Sequence, residues 1–203
     1  MKKLLLITAL MGCIYPCMAQ QDRIEQQETL SETAIFNKTA TFEREGYTYQ
    51  CDVPYGHVTL YNKKDTLTYK NIVYRDTGKI FSCDFTENNV IEGDLKMSQK
   101  ADAIVDRTFT KAMADEIGEH ELMITMLLSP FTGKVIEVNF SFPAFSPYAK
   151  VPLHVYREIE VELKEQIHFT PGEVGKQLNY IMLAWLQKPK GRLPEIHLTE
   201  PPH

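Results

Sequence analysis

The chain has 203 residues, and its 22 basic and 27 acidic residues give a formal net charge of −5 at pH 7. This acidic balance argues against a nucleic-acid-binding protein, because phosphates require a basic face, and it also argues against adsorption to anionic lipid. The length is sufficient for one large or two small domains with a hydrophobic core.

The N-terminus has the pattern of a cleavable secretory signal peptide. Lys2 and Lys3 form a positive segment, and an uncharged apolar stretch follows over residues 4–11. Small residues before Gln20 predict cleavage between Ala19 and Gln20. We therefore expect an exported protein, periplasmic or secreted. Cleavage would leave 20 basic against 27 acidic residues, a net charge of −7.

A lipoprotein is the alternative interpretation of the same segment, with residues 10–13 as the attachment box and Cys13 as the lipidated residue. Met11 is bulky for that motif, so soluble release is favoured over lipidation. The apolar stretch is shorter than the ~20 residues that cross a bilayer. No second stretch reaches that length, and the mature chain is therefore predicted to have no membrane span.

Two cysteines, Cys51 and Cys83, remain after the predicted cleavage. An even number in an oxidising compartment is compatible with a disulfide, which would close a loop worth roughly 3.5–4 kcal/mol in the chain-entropy model. Two separate buried thiols are an equally good interpretation, and the sequence leaves both open.

The first part of the mature chain is predicted to be β-rich. Residues 20–32 are polar and rich in Gln and Glu, which is typical of a flexible leader. In residues 33–97, apolar and polar side chains alternate, most clearly at 47–53 and again at 58–60 and 67–71. Alternation between turn signals predicts short antiparallel strands, and the region reads as a β-meander.

The period then changes to that of a helix. Apolar residues from Val105 through Phe109 to Ile117 share one helical face and predict a helix over 98–118. Ser98 is the predicted N-cap, and Gly118 is placed where the helix would end.

Four more elements complete the second half. Alternating apolar residues predict a hairpin of strands 122–128 and 136–142. The segment 151–168 separates apolar from charged residues best as a helix, and 177–187 reads as a strand that is apolar on both faces. Residues 98–187 thus form a predicted α-β-β-α-β unit.

The predicted fold class is α+β. An N-terminal antiparallel β-meander is followed by a small antiparallel sheet with helices on one face. Four prolines in residues 188–203 predict a loose C-terminal tail.

Residues 120–187 resemble a TonB C-terminal domain. The resemblance is carried by Thr132-Gly133-Lys134-Val135 between two strands, by Ile167-His168-Phe169-Thr170-Pro171 after the helix, and by Gly175-Lys176 before the last strand. The whole chain also looks like secreted, uncharacterised proteins of Bacteroides-type bacteria.

The TonB resemblance implies that an extended peptide could add to a sheet edge. It does not imply energy transduction, because the chain has neither a retained membrane anchor nor a long Pro-rich spacer. The candidate partner-binding edge is the last strand, with residues Asn179, Tyr180, Ile181, Leu183 and Trp185.

Motifs of catalysis or metal binding are not found in the sequence. The six histidines are scattered, and no HExxH, phosphate-binding loop or nucleophile elbow occurs. Glu158, Glu162 and Glu165 share the predicted solvent side of a helix, away from any pocket. A solvated helix face explains them, because a raised carboxylate pKa needs burial or a close like charge. We predict no catalytic residue, no metal site and no cofactor.

Three functions remain open at this stage. The first is a non-catalytic binding protein of the bacterial envelope that recognises another envelope protein or a peptide. The second is a periplasmic or surface hydrolase whose site is assembled from distant residues, which would show as a pocket with two displaced pKa values. The third is a structural envelope component with a large apolar patch.

Overall fold

The computed structural model describes residues 29–192 except 45, 83–88 and 94. Its strands are β1 Ala40–Arg44, β2 Tyr47–Asp52, β3 His57–Asn62, β4 Leu122–Leu128, β5 Val135–Pro143 and β6 Ile181–Gln187. Its α-helices are α1 Leu95–Thr108, α2 Lys111–Ile117 and α3 Leu153–Gln166. Short 3-10 turns occur at Pro54–Gly56, Pro147–Lys150 and Gly175–Gln177. The predicted signal peptide lies outside the described residues.

All six strands belong to one antiparallel sheet in the order β1-β2-β3-β5-β4-β6. The predicted α+β class is confirmed. The meander and the later strands are continuous, because β3 pairs with β5 and places Leu60 opposite Phe140. The two predicted β-rich regions therefore share one sheet, a pairing that local alternation could not reveal.

The helices cover one face of this sheet and enclose the core. Leu60, Phe140 and Phe142 face α3, where Phe142 stacks on Tyr156 with ring centroids 5.8 Å apart. Phe36, from the segment before β1, meets Tyr156 edge-to-face at 5.6 Å. Such aromatic pairs add about 0.5–1.5 kcal/mol each beyond the area that they bury.

The predicted helix over 98–118 is two helices. The chain is helical from Leu95, so Ser98 lies inside α1 and the N-cap prediction is wrong. Thr110 has extended dihedral angles, and its Oγ1 accepts a hydrogen bond from Met113 N at 3.2 Å, so it caps a new helix. Gly118 ends α2 with a φ of 63°, as predicted.

The predicted strand at 67–71 is also wrong. After β3 the chain crosses the sheet face opposite the helices, and we call residues 66–82 the cover segment. The backbone N–H groups of Thr66 and Leu67 donate to the Glu137 carboxylate at 2.7 and 2.9 Å instead of to a neighbouring strand. A buried carboxylate thus replaces a sheet ladder as the acceptor.

The last strand starts later than predicted. Residues 177–180 contain the end of a 3-10 turn and a loop, and β6 begins at Ile181. Earlier in the chain, the turn after β4 needs a glycine: Gly133 has a φ of 68°, and a Cβ there would lie 1.6 Å from Phe169 O.

Both ends of the described chain are attached to the body. Leu30 is buried, and Ser31 N donates to Lys150 O at 3.0 Å, although residues 20–32 were predicted as a leader. Arg192 N donates to Phe109 O at 2.7 Å within the predicted tail. Residues 20–28 and 193–203 lie outside the described residues. No helix in the described part is long and apolar enough to cross a membrane.

Candidate functional site

The outer strand β6 presents an open edge. It pairs with β4 along its whole length, from Leu122 opposite Gln187 to Leu128 opposite Ile181. Within the described residues no strand pairs with its other side. An antiparallel edge strand directs every second N–H and C=O group outward, so β6 offers a row of unpaired backbone groups.

Apolar surface lies on both sides of this edge. On the helix side, a cavity of about 310 Å³ is lined by Ala101 of α1, by Met126 and Phe169, and by Leu183 and Trp185 of β6. The opposite side presents three exposed side chains of β6, namely Met182, Ala184 and Leu186. A strand added here would therefore find apolar contacts for both sets of its alternating side chains.

The two edges of the sheet differ in chemistry. Residues 181–186 of β6 are six consecutive apolar residues, whereas β1 ends in exposed Glu43 and Arg44. Proteins commonly blunt an edge with charged residues, because a flat apolar edge recruits other strands. Edge β1 carries that protection, and β6 does not.

The five predicted edge residues divide into two groups. Asn179 is bound to the cover segment: its Oδ1 accepts from Val73 N at 2.9 Å and its Nδ2 donates to Asn71 O at 3.1 Å. Tyr180 is buried, and its hydroxyl donates to Lys70 O. These two residues anchor the cover segment and do not belong to the edge.

The other three predicted edge residues lie in β6 and face the helices. Ile181 is fully buried, while Leu183 and Trp185 are partly buried and border the cavity. Trp185 Nε1 donates to Gln187 Oε1 at 2.9 Å, which fixes the indole beside the cavity. The sequence missed Met182 and Leu186, whose exposure depends on the missing neighbour strand.

A second feature, which the sequence did not indicate, is a buried ionic network on α3. The Glu160 side chain is completely buried. It accepts hydrogen bonds from Arg157 Nη1 at 2.8 Å, from Lys164 Nζ at 2.6 Å, and from Asn62 Nδ2 at 3.2 Å. The Tyr49 hydroxyl donates to its Oε2. Four donors from α3, β2 and β3 therefore hold this carboxylate.

The network sets the protonation states of its members. Burial alone would raise the pKa of Glu160, but hydrogen bonds from Lys164 and Tyr49 and the charge of Lys164 hold it below the ordinary value. Burial, together with the negative charge of Glu160, raises the pKa of Tyr49 far above its usual range. Glu160 is therefore a carboxylate and Tyr49 a neutral donor throughout the physiological range.

A polar cleft of about 460 Å³ opens beside this network, between α3 and the chain that follows β3. We call it the polar cleft. Four acidic and three basic side chains line it, so one negative charge is in excess when all are ionised. They are Asp65, Glu137, Glu160 and Glu165 with Lys64, Arg157 and Lys164.

Asp65 is the least satisfied of these charged groups. Its side chain is 5% exposed, and the nearest cation, Lys164 Nζ, is 3.5 Å from Oδ1. Its Oδ2 is buried without a hydrogen-bond partner among the described residues. Burial raises the pKa of Asp65 to about 7; Lys164 opposes the shift, and the carboxylates of Glu160 and Glu137 add to it.

The residues that the sequence offered for chemistry are not brought together. Glu158 and Glu165 are exposed on α3, and Glu162 pairs with Arg107. His120 lies on an exposed turn before β4. Within the described ranges, no three His, Cys, Asp or Glu side chains are grouped to hold a metal ion.

Cys51 is a buried free cysteine on the helix side of β2. Burial raises the pKa of its thiol to about 12. Its proposed disulfide partner, Cys83, lies outside the described residues.

The fold and these two regions define an α+β protein built on one six-stranded antiparallel sheet with an apolar edge strand and a polar cleft. A family model described as a domain of unknown function, DUF5043, matches residues 32–185. The chain belongs to this family. This confirms the predicted resemblance to uncharacterised proteins, while their secretion stays a prediction. The TonB resemblance stays a prediction.

A solved relative has the same fold. The crystal structure of a DUF5043 family protein from Bacteroides uniformis ATCC 8492 is 68% identical in sequence and superposes with a TM-score of 0.79. The match covers 81% of this chain and 99% of that chain. No curated protein matches the chain.

Proposed function

We propose that this protein is an exported, non-catalytic binding protein of the bacterial envelope that takes an extended segment of a partner onto β6. The observation that carries the proposal is the open edge of β6, flanked by apolar surface on both faces. The export half of the proposal is supported by the N-terminal pattern of Lys2, Lys3 and Ala19.

Strand addition uses the chemistry that β6 has available. The unpaired backbone groups would bond to those of the incoming strand and provide affinity without regard to sequence. Side chains would then select the partner, since alternate residues enter the cavity beside Leu183 and Trp185 or cover Met182 and Leu186. The preferred partner is an extended segment of about seven residues with apolar side chains on both faces.

A hydrolase is less well supported, although Asp65 and Glu160 share a cleft and their pKa values are displaced in opposite directions. Glu160 has four donors and is completely buried, so it has no accessible lone pair for a substrate. A general base must reach the proton that it removes. The network therefore serves as an anchor for α3.

The proposed binding is tested with a phage-displayed library of random twelve-residue peptides selected on the immobilised mature protein. Enriched peptides should carry a run of consecutive apolar side chains, and their binding should protect β6 amides from hydrogen exchange. Leu186→Lys should weaken binding at least tenfold, because a lysine places charge beside the edge.

The matched control is Thr41→Lys, which adds the same charge to the exposed surface of the opposite edge strand β1. It should leave binding within about twofold. Loss of binding in Thr41→Lys but not in Leu186→Lys would move the site to β1. Failure to enrich any peptide would contradict the proposal, as would a dimer of the free protein that Leu186→Lys dissociates.

Export is tested by N-terminal sequencing of the protein from its native host. The mature protein should begin at Gln20 and fractionate outside the cytoplasm. An intact Met1 on cytosolic protein would contradict export without affecting the peptide result.

A further inference from the structure

The polar cleft lies apart from the β6 edge, and it contains a buried carboxyl oxygen that has no hydrogen-bond partner among the described residues. Two of its buried acids have hydrogen-bond donors within the protein. Glu160 accepts from four donors, and Glu137 accepts from two backbone N–H groups of the cover segment. Asp65 forms an ion pair with Lys164, whose Nζ is 3.5 Å from Oδ1, but its buried Oδ2 has no hydrogen-bond partner among the described residues. Leaving a buried acceptor unpaired is unfavourable, so a native protein that keeps one invites a functional explanation.

The charge and the volume of the cleft restrict the kind of ligand that could pair with Asp65. With all of its groups ionised the cleft holds one negative charge in excess, which favours a single positive charge. Its volume of about 460 Å³ lies within the range of small-molecule sites. Because the described residues do not group three metal-ligating side chains, an organic cation fits the cleft better than a metal ion.

We propose that the polar cleft binds a small organic molecule with a primary ammonium group, and that this ammonium pairs with the Asp65 carboxylate. A primary ammonium has three donors and no acceptor, which complements a carboxylate that lacks close donors. The exposed carboxylate of Glu165 also lines the cleft and can accept hydrogen bonds from hydroxyl groups of the same ligand. A polyhydroxy amine of about monosaccharide size therefore matches the lining.

The electrostatics of the cleft agree with this geometry. Asp65 faces Lys164 and Glu160 from α3 and Glu137 from β5, and burial raises its pKa to about 7. Near neutral pH a proton therefore competes with other cations for this carboxylate. An arriving ammonium ion would replace that proton, so binding should become tighter as the pH rises through 7.

The probe for this proposal is glucamine, the primary amine of sorbitol, with sorbitol as the matched neutral compound. Binding is followed by amide chemical-shift perturbation and calorimetry on the mature protein at pH 6 and pH 8, where an alkyl ammonium remains charged. We expect glucamine to bind with shifts around Asp65 and Lys164, and sorbitol to bind at least tenfold more weakly. Affinity should be about tenfold higher at pH 8 than at pH 6, following the ionised fraction of Asp65.

Two variants locate the interaction. Asp65→Asn should lose at least tenfold in glucamine affinity together with the pH dependence, whereas Glu158→Gln, exposed on α3 outside the lining of the cleft, should stay within about threefold. If Asp65→Asn does not fold, the pH dependence of glucamine binding to the wild-type protein still tests the proposal. Equal binding of sorbitol, pH-independent binding, unchanged affinity in Asp65→Asn or no glucamine binding would each overturn the proposal.

The test is independent of the proposed peptide binding. Leu186→Lys should leave glucamine affinity unchanged, and Asp65→Asn should leave peptide affinity unchanged, because the altered groups line different surfaces. A protein that fails one test and passes the other therefore identifies which proposal is wrong.

Discussion

The β6 edge and the polar cleft both contain unpaired hydrogen-bonding groups, but their surroundings differ. At the edge, the unpaired groups are backbone amides and carbonyls next to solvent, where water satisfies them at little cost. In the cleft, the unpaired group is a carboxyl oxygen buried beside α3. Solvation makes the first arrangement easy to tolerate, whereas the second must be compensated by a proton, a cation or a ligand.

The comparison predicts that substitutions around the cleft change stability strongly and that substitutions on the β6 edge do so weakly. Glu160→Ala is expected to have the largest effect. It leaves Arg157, Lys164 and Tyr49 without their buried acceptor, which should lower the free energy of unfolding by about 3–5 kcal/mol in urea titrations. Glu158→Ala, on the exposed side of the same helix, should change it by less than about 0.5 kcal/mol. Equal effects in the two variants would mean that the network contributes nothing specific.

The next effect concerns the pH dependence of stability. The pKa of Asp65 is about 7 in the folded protein and 3.8 in a free side chain. Protonation therefore favours the folded state: this stabilisation is complete below about pH 4 and is lost as the pH rises through 7. Asp65→Asn should gain stability relative to the wild type over this interval, by about 2–4 kcal/mol.

Denaturant titrations at pH 4, 6 and 8 measure this difference. Asp76→Asn, at an exposed turn of the cover segment, is the control and should change the free energy of unfolding by less than about 0.5 kcal/mol. If the difference in unfolding free energy between Asp65→Asn and the wild type did not change with pH, the Asp65 carboxyl group would be solvated in the folded protein.

Removal of one donor from the network should have a smaller effect. Tyr49→Phe keeps the ring, which is completely buried, and deletes the hydroxyl that donates to Glu160. We expect a loss of about 1–3 kcal/mol, because the carboxylate keeps its other donors. Tyr61→Phe removes a hydroxyl that donates to the part-buried Asp52 at 2.9 Å, and should lose less. The opposite ranking would contradict the burial argument.

The smallest effect is expected at the edge. Met182→Lys replaces a side chain that is 49% exposed and leaves the β4–β6 pairing in place. Its thermal unfolding midpoint should lie close to that of the wild type, with a change below about 0.5 kcal/mol. A large loss would mean that Met182 is covered in the folded protein, and the edge would not be available to a partner.

The local sequence pattern predicted the helices and strands that are defined by residues close together in the chain. The alternation from Leu122 to Leu128 and from Ile136 to Phe142 gave the β4–β5 hairpin, and helical projection gave α3 to within two residues of each end. The same pattern failed at residues 67–71, because their alternation is compatible with a strand but the Glu137 carboxylate takes their backbone donors.

The candidate regions were predictable only in part. The apolar run of β6 was visible in the sequence, and it pointed to an edge that includes Leu183 and Trp185. The sequence did not distinguish Glu160 from the other acidic residues of the predicted helix. Its burial could not be seen, because Tyr49 and Asn62 are 111 and 98 residues away.

By itself, the sequence determined the α+β class, the hairpin-helix-strand order of residues 122–187, and the prediction of export, because these depend on composition and on periodicity between near neighbours. Only the tertiary structure decided that β3 pairs with β5, that β6 is an outer strand, and that Asp65 and Glu160 meet in one cleft. These features depend on contacts between distant residues, whose burial and charge are set by the folded chain as a whole.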